Sequence, residues 1–252
     1  MCGIFGVVLK GDARYPKGFR ENALRILARE SQSRGKDSSG LVVHDHRDDV
    51  YQVFKGAIPL NALLASDSVR GFLKGLQKAP LADGRRASLA IGHSRLVTNG
   101  SQLTDENNQP VIKDGIVGIH NGIIVNDAAL WEANPRLKRE YEIDTEVLLA
   151  LVRSRLQAGD GIPDAIRKAS AVIEGTVSTA LLFPESRALA LFTDNGSLYT
   201  LTDDTGALFF ASEYYPLKVL ADRLSLDTTG EYRLCQVASR TGLVCSLDGF
   251  VI

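Results

Sequence analysis

The second residue of the chain is a cysteine, in Met1-Cys2-Gly3-Ile4-Phe5-Gly6, so removing the initiator methionine places a thiol and a free α-amine on one residue. A thiol with a pKa of about 8.5 is only a few per cent ionised at neutral pH and normally borrows a base. An α-amine, at about 7.7 to 8, can take that proton directly or through one water, with no histidine partner. The pair would be a self-contained nucleophile and base. A cysteine also reaches position 2 by chance, so the rest of the chain decides. Four further segments set glycines and polar residues where strands should end: Ser33-Arg34-Gly35-Lys36-Asp37-Ser38-Ser39-Gly40, Gly92-His93-Ser94-Arg95-Leu96-Val97-Thr98-Asn99-Gly100, His120-Asn121-Gly122 with the residues to Asn126, and Ile143-Asp144-Thr145-Glu146. Singly, each has a plain structural account: a turn with an exposed Arg/Asp pair, an Asn-Gly turn, a helix N-terminus capped by Asp144.

The elements that must position these segments follow from apolar spacing. Residues 4–9 read as a buried strand, and Phe19, Ala23, Leu24 and Leu27 have helical spacing before the turn at Arg34-Gly35. Residues 41–43 and 50–54 pattern as a hairpin, and Leu60, Leu63, Leu64, Phe72, Leu73 and Leu76 as a helix interrupted near Ser66-Asp67-Ser68. Short strands are expected at 88–92 and 116–119. Val147, Leu148, Leu151 and Val152 form the apolar face of a helix starting at Asp144, which should pair with a second helix over 165–173, closed by Gly175. Beyond Val177 the pattern predicts strands at 180–183, 188–192, 198–201, 208–211, 232–237 and 243–247, with one helix over 216–224. Asn195-Gly196, Thr205-Gly206 and Thr241-Gly242 suit hairpin turns. Many antiparallel strands with helices in separate blocks predict a layered α+β domain, not a doubly wound parallel sheet.

Bulk properties narrow the function classes. A chain of 252 residues, 44% hydrophobic and without an internal repeat or a low-complexity linker, suits one domain over 1–252. With 29 Lys and Arg against 30 acidic residues, a formal net charge of −1, no nucleic-acid or acidic-membrane partner is expected. No apolar stretch reaches the roughly 18 residues of a membrane span and no basic-then-apolar leader is present, so a soluble, cytoplasmic protein is expected. The three cysteines lack disulfide or zinc spacing. Cys235 and Cys245 are expected to serve as small hydrophobes in strands, and His44 and His46, flanking Asp45, to be solvated in a polar loop. Neither a metal nor an organic cofactor is called for.

Taken together with Cys2, the four segments resemble the glutaminase domain of the class II glutamine amidotransferases, a branch of the N-terminal-nucleophile hydrolases. The opening Cys2-Gly3-Ile4, the Arg34 to Gly40 run, the Gly92 to Thr98 run and His120-Asn121-Gly122 match the family's motifs in order. Asp144-Thr145-Glu146 looks most like the glucosamine-6-phosphate synthase (glutamine-fructose-6-phosphate aminotransferase) subgroup. Weaker similarity continues through Gly175-Thr176-Val177 and Ala211-Ser212-Glu213. The resemblance implies a four-layer αββα sandwich of two antiparallel sheets. It also implies roles. Cys2 would attack the side-chain amide of L-glutamine, releasing ammonia and leaving a γ-glutamyl thioester for water to hydrolyse. The Asn121 side chain and the Gly122 N–H would form the oxyanion hole. Arg95 would take the substrate α-carboxylate and Asp144 its α-ammonium. Thr98 would add a hydrogen bond to the carboxylate, and Arg34 would buttress the nucleophile's strand. Gly92 and Gly100 would let the loop carrying Arg95 close over substrate.

Two positions depart from the family pattern: Leu96 stands where an aromatic residue usually follows the arginine, and Asn99 where synthase-type members carry His. Sugar-aminating relatives fuse this domain to an acceptor-binding domain, and no fused synthase or isomerase domain is expected within 1–252. The expectation is therefore a stand-alone glutaminase subunit supplying ammonia to a separate synthase partner, in amino-sugar synthesis, with self-assembly left open. Two other readings remain: an amide hydrolase of the same fold acting on another substrate, which Arg95 and Asp144 argue against, and a glutamine-sensing or scaffold subunit without turnover.

Overall fold

The computed structural model describes residues 2–11, 15–16, 18–45, 48–78, 87–96, 101, 103–204 and 206–252. The first strand, β1 (Gly3–Lys10), is apolar on both faces and buried along nearly all its length, the pattern of a strand covered on both sides. It pairs antiparallel with β4 (Ala87–Arg95) on one edge and β10 (Ala207–Ala211) on the other. Adding β2 (Ser38–Asp45) and β3 (Val50–Gly56) beyond β4, and β9 (Tyr199–Asp203) and β11 (Tyr232–Gln236) beyond β10, gives a seven-stranded sheet in the order β11-β9-β10-β1-β4-β2-β3. A second sheet of five strands contains β5 (Val111–Lys113), β6 (Ile116–Ile124), β7 (Gly175–Phe183), β8 (Ala188–Thr193) and β12 (Thr241–Ser246), in the order β12-β8-β7-β6-β5.

Three apolar layers hold these sheets. Outside the first sheet, α1 (Phe19–Ser31), α2 (Leu60–Ala65), α3 (Asp67–Lys78) and α7 (Tyr214–Leu224) bury Leu24, Leu27, Leu60, Leu73 and Leu217 against Phe5, Leu41 and Phe209. Outside the second, α4 (Asp127–Ala133), α5 (Thr145–Gln157) and α6 (Ile162–Ser170) bury Leu130, Val147, Leu148 and Ile166 against Val177 and Leu181. Between the sheets lie Ile4, Val8, Ile91, Val117, Ile119, Ala180, Leu189 and Phe210. Helix, sheet, sheet, helix is the expected α+β sandwich, and α5 packs on α6 as predicted. Among the described residues no helix is long and apolar enough to cross a membrane.

Several local expectations give way to tertiary pairing. Asn195-Gly196 joins β8 to β9, which belong to different sheets, and Thr241-Gly242 opens β12 rather than turning into it. Neither makes a hairpin, because a local turn signal does not say which sheet the next strand joins. The Thr205-Gly206 pair does fall between the antiparallel neighbours β9 and β10, although Thr205 lies outside the described residues. Gly175 does not close α6. It is the first residue of β7, at φ 132°, while the helix ends at Ser170. His44 is not solvated: it is buried in β2, with Nε2 3.1 Å from Asp49 Oδ1 and its ring 5.0 Å from that of Tyr51. His46 lies outside the described residues. Cys245 is buried in the inter-sheet layer as expected, whereas Cys235 is exposed on β11. The three-residue β5 and the short α4 carry too little periodicity to be read in advance.

Candidate active site

Alternation along the strands decides which side chains meet. Ile4 and Val8 of β1 face the second sheet while Phe5 and Val7 face the helices, so Cys2 shares the inner face of Ile4. On β4, Leu89 and Ile91 face inward, which puts His93 and Arg95 there. On β6, Val117 and Ile119 face inward, which puts Asn121 there and leaves His120 toward the helices. The registers are unbroken, with Gly3 opposite Ser94 and Asn121 opposite Ser178. Cys2, His93, Arg95 and Asn121 therefore converge at one end of the inter-sheet layer, where β1 and β4 approach β6.

The start of β1 is held from several sides. A Cβ on Gly3 would lie 2.7 Å from Ser94 Oγ and 2.8 Å from the Ser31 carbonyl, so only glycine fits. Ile4 N–H donates to Ser212 Oγ at 3.3 Å, and the Ser212 N–H donates to the Ile4 carbonyl at 2.9 Å. Arg34 Nη1 donates to Glu213 Oε1 at 2.7 Å, while its buried Nε has no partner. Arg34 places its Cβ beside Gly3, 3.2 Å from where a Cβ there would stand. Its guanidinium is engaged with Glu213 rather than gathered with Arg95. Beside this pair lies an open polar cavity of about 440 Å³ that shares Arg34, Ser212 and Glu213.

Cys2 is buried, and its thiol donates to the Leu96 carbonyl at 3.6 Å. Burial pushes the thiol above its ordinary pKa, against the Leu96 contact and the charge of Arg95, while the negative charge of Asp144 pushes the same way as burial. The resting thiol is thus protonated at neutral pH and needs a base at the moment of attack. Arg95 closes β4, is 2% exposed, and donates from Nη1 to Asn108 Oδ1 at 3.1 Å. Burial pulls its guanidinium below the usual value, against the opposing charges of Cys2, Asp144 and Asp37. A buried cation of this kind gains from an arriving carboxylate.

The free edge of β6 carries the remaining groups. Even-numbered residues of β6 direct their backbone groups away from β7: Gly118 pairs with Val111 of β5, His120 N–H donates to Gln109 Oε1, and Ile124 N–H donates to Asp144 Oδ2 at 2.8 Å. By the same alternation the Gly122 N–H points out of this edge between the last two, and none of the hydrogen bonds among the described side chains occupies it. It lies on the strand that carries the Asn121 amide. His120-Asn121-Gly122 is accordingly strand and not a turn. A Cβ at Gly122 would fall 1.9 Å from the Thr176 carbonyl and 2.6 Å from His120 Nε2. Asp144 precedes α5 without capping it. Its carboxylate turns to Ile124 instead, and is buried at 6% exposure.

Other expected positions fare differently. Thr98, Asn99 and Gly100 lie outside the described residues. Gly92 is no hinge, since it sits inside β4 where a Cβ would meet the Phe5 ring at 2.3 Å, and Arg95 ends a strand rather than riding on a loop. Gly35 is required by closeness, because a Cβ there would lie 2.2 Å from the Arg95 carbonyl carbon. Sequence reasoning missed Asn108 and Gln109, which touch Arg95 and His120 directly. Among the described residues no group of three or more His, Cys, Asp or Glu side chains is arranged to hold a metal ion.

A family model described as a glutamine amidotransferase domain matches residues 93–219, half of the chain and most of this site. The chain belongs to that family. It is a class II glutamine amidotransferase domain. Its relatives include the glutamine–fructose-6-phosphate aminotransferases (isomerizing) of Rhizobium leguminosarum bv. viciae, 27% identical over the whole of this chain, and of Brucella abortus biovar 1 (strain 9-941), 28% identical over 96% of it. The chain spans 38% and 36% of the length of those two relatives. Among solved structures, the glutamine phosphoribosylpyrophosphate amidotransferase of B. subtilis superposes with a TM-score of 0.67 at 23% identity, covering 99% of this chain and 48% of that one. An allosteric regulatory enzyme of purine biosynthesis gives 0.66 at 21% identity, covering 98% and 48%. These likenesses assign the N-terminal-nucleophile hydrolase fold to the amidotransferase domain described here.

Proposed function

We propose that this amidotransferase domain hydrolyses L-glutamine to glutamate and ammonia through Cys2 and supplies the ammonia to a separate synthase. The observation carrying the reading is the arrangement around one buried thiol: a buried guanidinium and a buried carboxylate, Arg95 and Asp144, both acting on Cys2. Free glutamine presents an α-carboxylate and an α-ammonium at one end and an amide at the other. Arg95 binds the first, Asp144 the second, and Thr98 adds to the carboxylate site.

Removal of Met1 frees the Cys2 amine. The sulfur attacks the carbonyl carbon of the side-chain amide as its proton passes to that amine, and the tetrahedral oxygen takes its charge beside the Asn121 amide and the Gly122 N–H. Collapse breaks the C–N bond, the amine returns the proton to the leaving nitrogen, and ammonia departs. Water then cleaves the γ-glutamyl thioester by the reverse sequence, giving glutamate. No metal or organic cofactor enters these steps. The names of the aminotransferase relatives favour a sugar phosphate as the acceptor on the partner, and hence a place in amino-sugar synthesis.

The test is the intact mass after incubation with a glutamine analogue bearing an electrophile, beside a Cys2→Ala variant, together with ammonia release from glutamine. Loss of Met1, one adduct absent from the variant, and ammonia release are expected. Glutamine binding by calorimetry without adduct or ammonia would overturn turnover and leave a binding-only subunit.

A further inference from the structure

One tripeptide that belongs to none of the motifs, Asn107-Asn108-Gln109, sends each of its side chains to a different arm of the site. All three residues are buried, at 1%, 0% and 4% exposure. Asn107 Nδ2 donates to the Ser101 carbonyl at 3.3 Å and to Glu142 Oε2 at 2.9 Å, while its Oδ1 accepts from the Glu142 N–H at 3.0 Å. It thereby ties the segment following residues 97–100 to the segment that leads into Asp144. Asn108 Oδ1 accepts from Arg95 Nη1 at 3.1 Å.

Gln109 does something more specific. β5 stops pairing β6 at Gly118, and beyond that point the strand edge needs partners. The Gln109 side chain replaces a strand residue there: its Oε1 accepts the His120 N–H at 2.5 Å and its Nε2 donates to the His120 carbonyl at 3.1 Å. The same carbonyl accepts from His93 Nε2 at 3.2 Å, so both of its lone pairs are used. Gln109 Nε2 also reaches Thr145 Oγ1 at 3.4 Å, next to Asp144. On the helix side, His120 Nε2 donates to the Thr176 carbonyl at 3.1 Å, which leaves Nδ1 to accept from the Thr145 hydroxyl at 3.3 Å. His120 is thus fixed from every side, immediately before Asn121.

We propose that Asn107-Asn108-Gln109 is a positioning clamp that sets the Arg95 guanidinium, the Asn121-Gly122 donors and the Asp144 carboxylate in register with one another. Asn108 governs substrate binding through Arg95, and Gln109 governs the oxyanion donors through His120. The clamp rests on the glutaminase reading, and it predicts a division of kinetic effects that a loss of fold does not produce. A guanidinium that has lost its Asn108 contact is set less exactly and weakens binding in ground and transition states alike, raising KM. Displaced oxyanion donors are felt where charge develops, lowering kcat.

Asn108→Ala is expected to raise the KM for glutamine by about tenfold with kcat within about twofold, and Gln109→Glu to lower kcat by about tenfold with KM within about threefold. Rates are taken per site titrated with the electrophilic glutamine analogue, so an unfolded fraction drops out. The near-isosteric Asn108→Asp and Gln109→Glu keep the packing if alanine does not. Unchanged KM and kcat per titrated site, or equal falls in both variants with KM unmoved, would overturn the clamp. The glutaminase reading fails separately, if the wild-type domain releases no ammonia. In that event the clamp is still read from the pH midpoint of Cys2 alkylation in a Cys235→Ser background. Arg95 lowers that midpoint, and Asn108→Ala is expected to raise it by about half a pH unit. An unmoved midpoint would then overturn the proposal.

Discussion

Replacing His93 with glutamine should change how stability depends on pH more than it changes stability itself. His93 is completely buried, and its pKa is pushed down to about 3, first by burial and then by the adjacent Arg95, against the hydrogen bond to the His120 carbonyl. That bond requires a proton on Nε2, so Nδ1 carries a bare lone pair with no partner. In the unfolded chain the same imidazole titrates near pH 6.5, so between about 6.5 and 3 the unfolded state binds the additional proton and stability falls as the pH drops. At pH 4.5 the offset from the unfolded value is about two units, or roughly 2.7 kcal/mol favouring unfolding. At pH 7 the same residue contributes only about 0.2 kcal/mol, leaving a change of roughly 2.5 kcal/mol. Against a total of about 5 to 15 kcal/mol that is a large share. Glutamine keeps an N–H for the His120 carbonyl but does not titrate. Urea unfolding of both proteins at pH 7 and pH 4.5 isolates the difference from the carboxylates, which both share. The variant is expected to begin less stable and to gain about 2.5 kcal/mol on the wild type between the two conditions. Parallel curves would refute the reasoning, since His93 would then bind its proton equally well in both states.

Two further substitutions probe the strand that carries Asn121 and Gly122 and the network behind it. Gly122→Ala places a Cβ 1.9 Å from the Thr176 carbonyl on the paired strand, so β6 must part from β7. Expected are a stability loss of about 1 to 3 kcal/mol by urea unfolding and glutamine turnover reduced at least tenfold per titrated Cys2. Lys113→Met removes the cation 3.1 Å from Glu146 and 2.7 Å from Glu140. The Glu146 side chain is fully buried and already accepts the Glu140 and Tyr141 N–H groups at 2.8 Å. A stranded buried carboxylate should cost about 3 kcal/mol, and adding Glu146→Gln should recover part of it. Equal stability of the single and double variants would remove the buried charge as the cause.

The parts of this molecule that were legible in the sequence are those where one residue type answers one physical demand. Cys2 stood out because a thiol and an α-amine on one residue answer the demand for a nucleophile with its own base, and Arg95, Asn121 and Asp144 were picked out by the motifs that resemble the amidotransferases; the structure brings the four to one end of the inter-sheet layer. Apolar periodicity likewise located every long strand. What stayed hidden was relational. Asn195-Gly196 reads as a hairpin locally and is a crossing between sheets. Gly92 reads as a hinge and is a slot for the Phe5 ring. Asn108 and Gln109 drew no reading at all, since nothing in their spacing reveals that Arg95 and His120 arrive beside them from elsewhere in the chain.

That hidden layer bears on how the site works. Burial raises the Cys2 thiol and pulls down the Arg95 guanidinium, and Asp144 opposes the thiolate that Arg95 favours. A protonated thiol therefore lies beside a guanidinium and a carboxylate, whose natural counter-charges are a carboxylate and an ammonium. On the glutaminase reading, a bound zwitterion supplies both: its carboxylate meets Arg95 and its ammonium meets Asp144. The neutralised carboxylate then opposes the thiolate less, while the guanidinium attracts it less, so the two changes largely cancel at the sulfur. Binding energy from the amino-acid end is consequently spent on placing the amide rather than on ionising Cys2. Activation is left to the α-amine on the nucleophile's own residue, which moves with the sulfur because it is part of the same strand end, and the rigid setting of β1 by Gly3, Ser94 and Ser212 serves both groups at once.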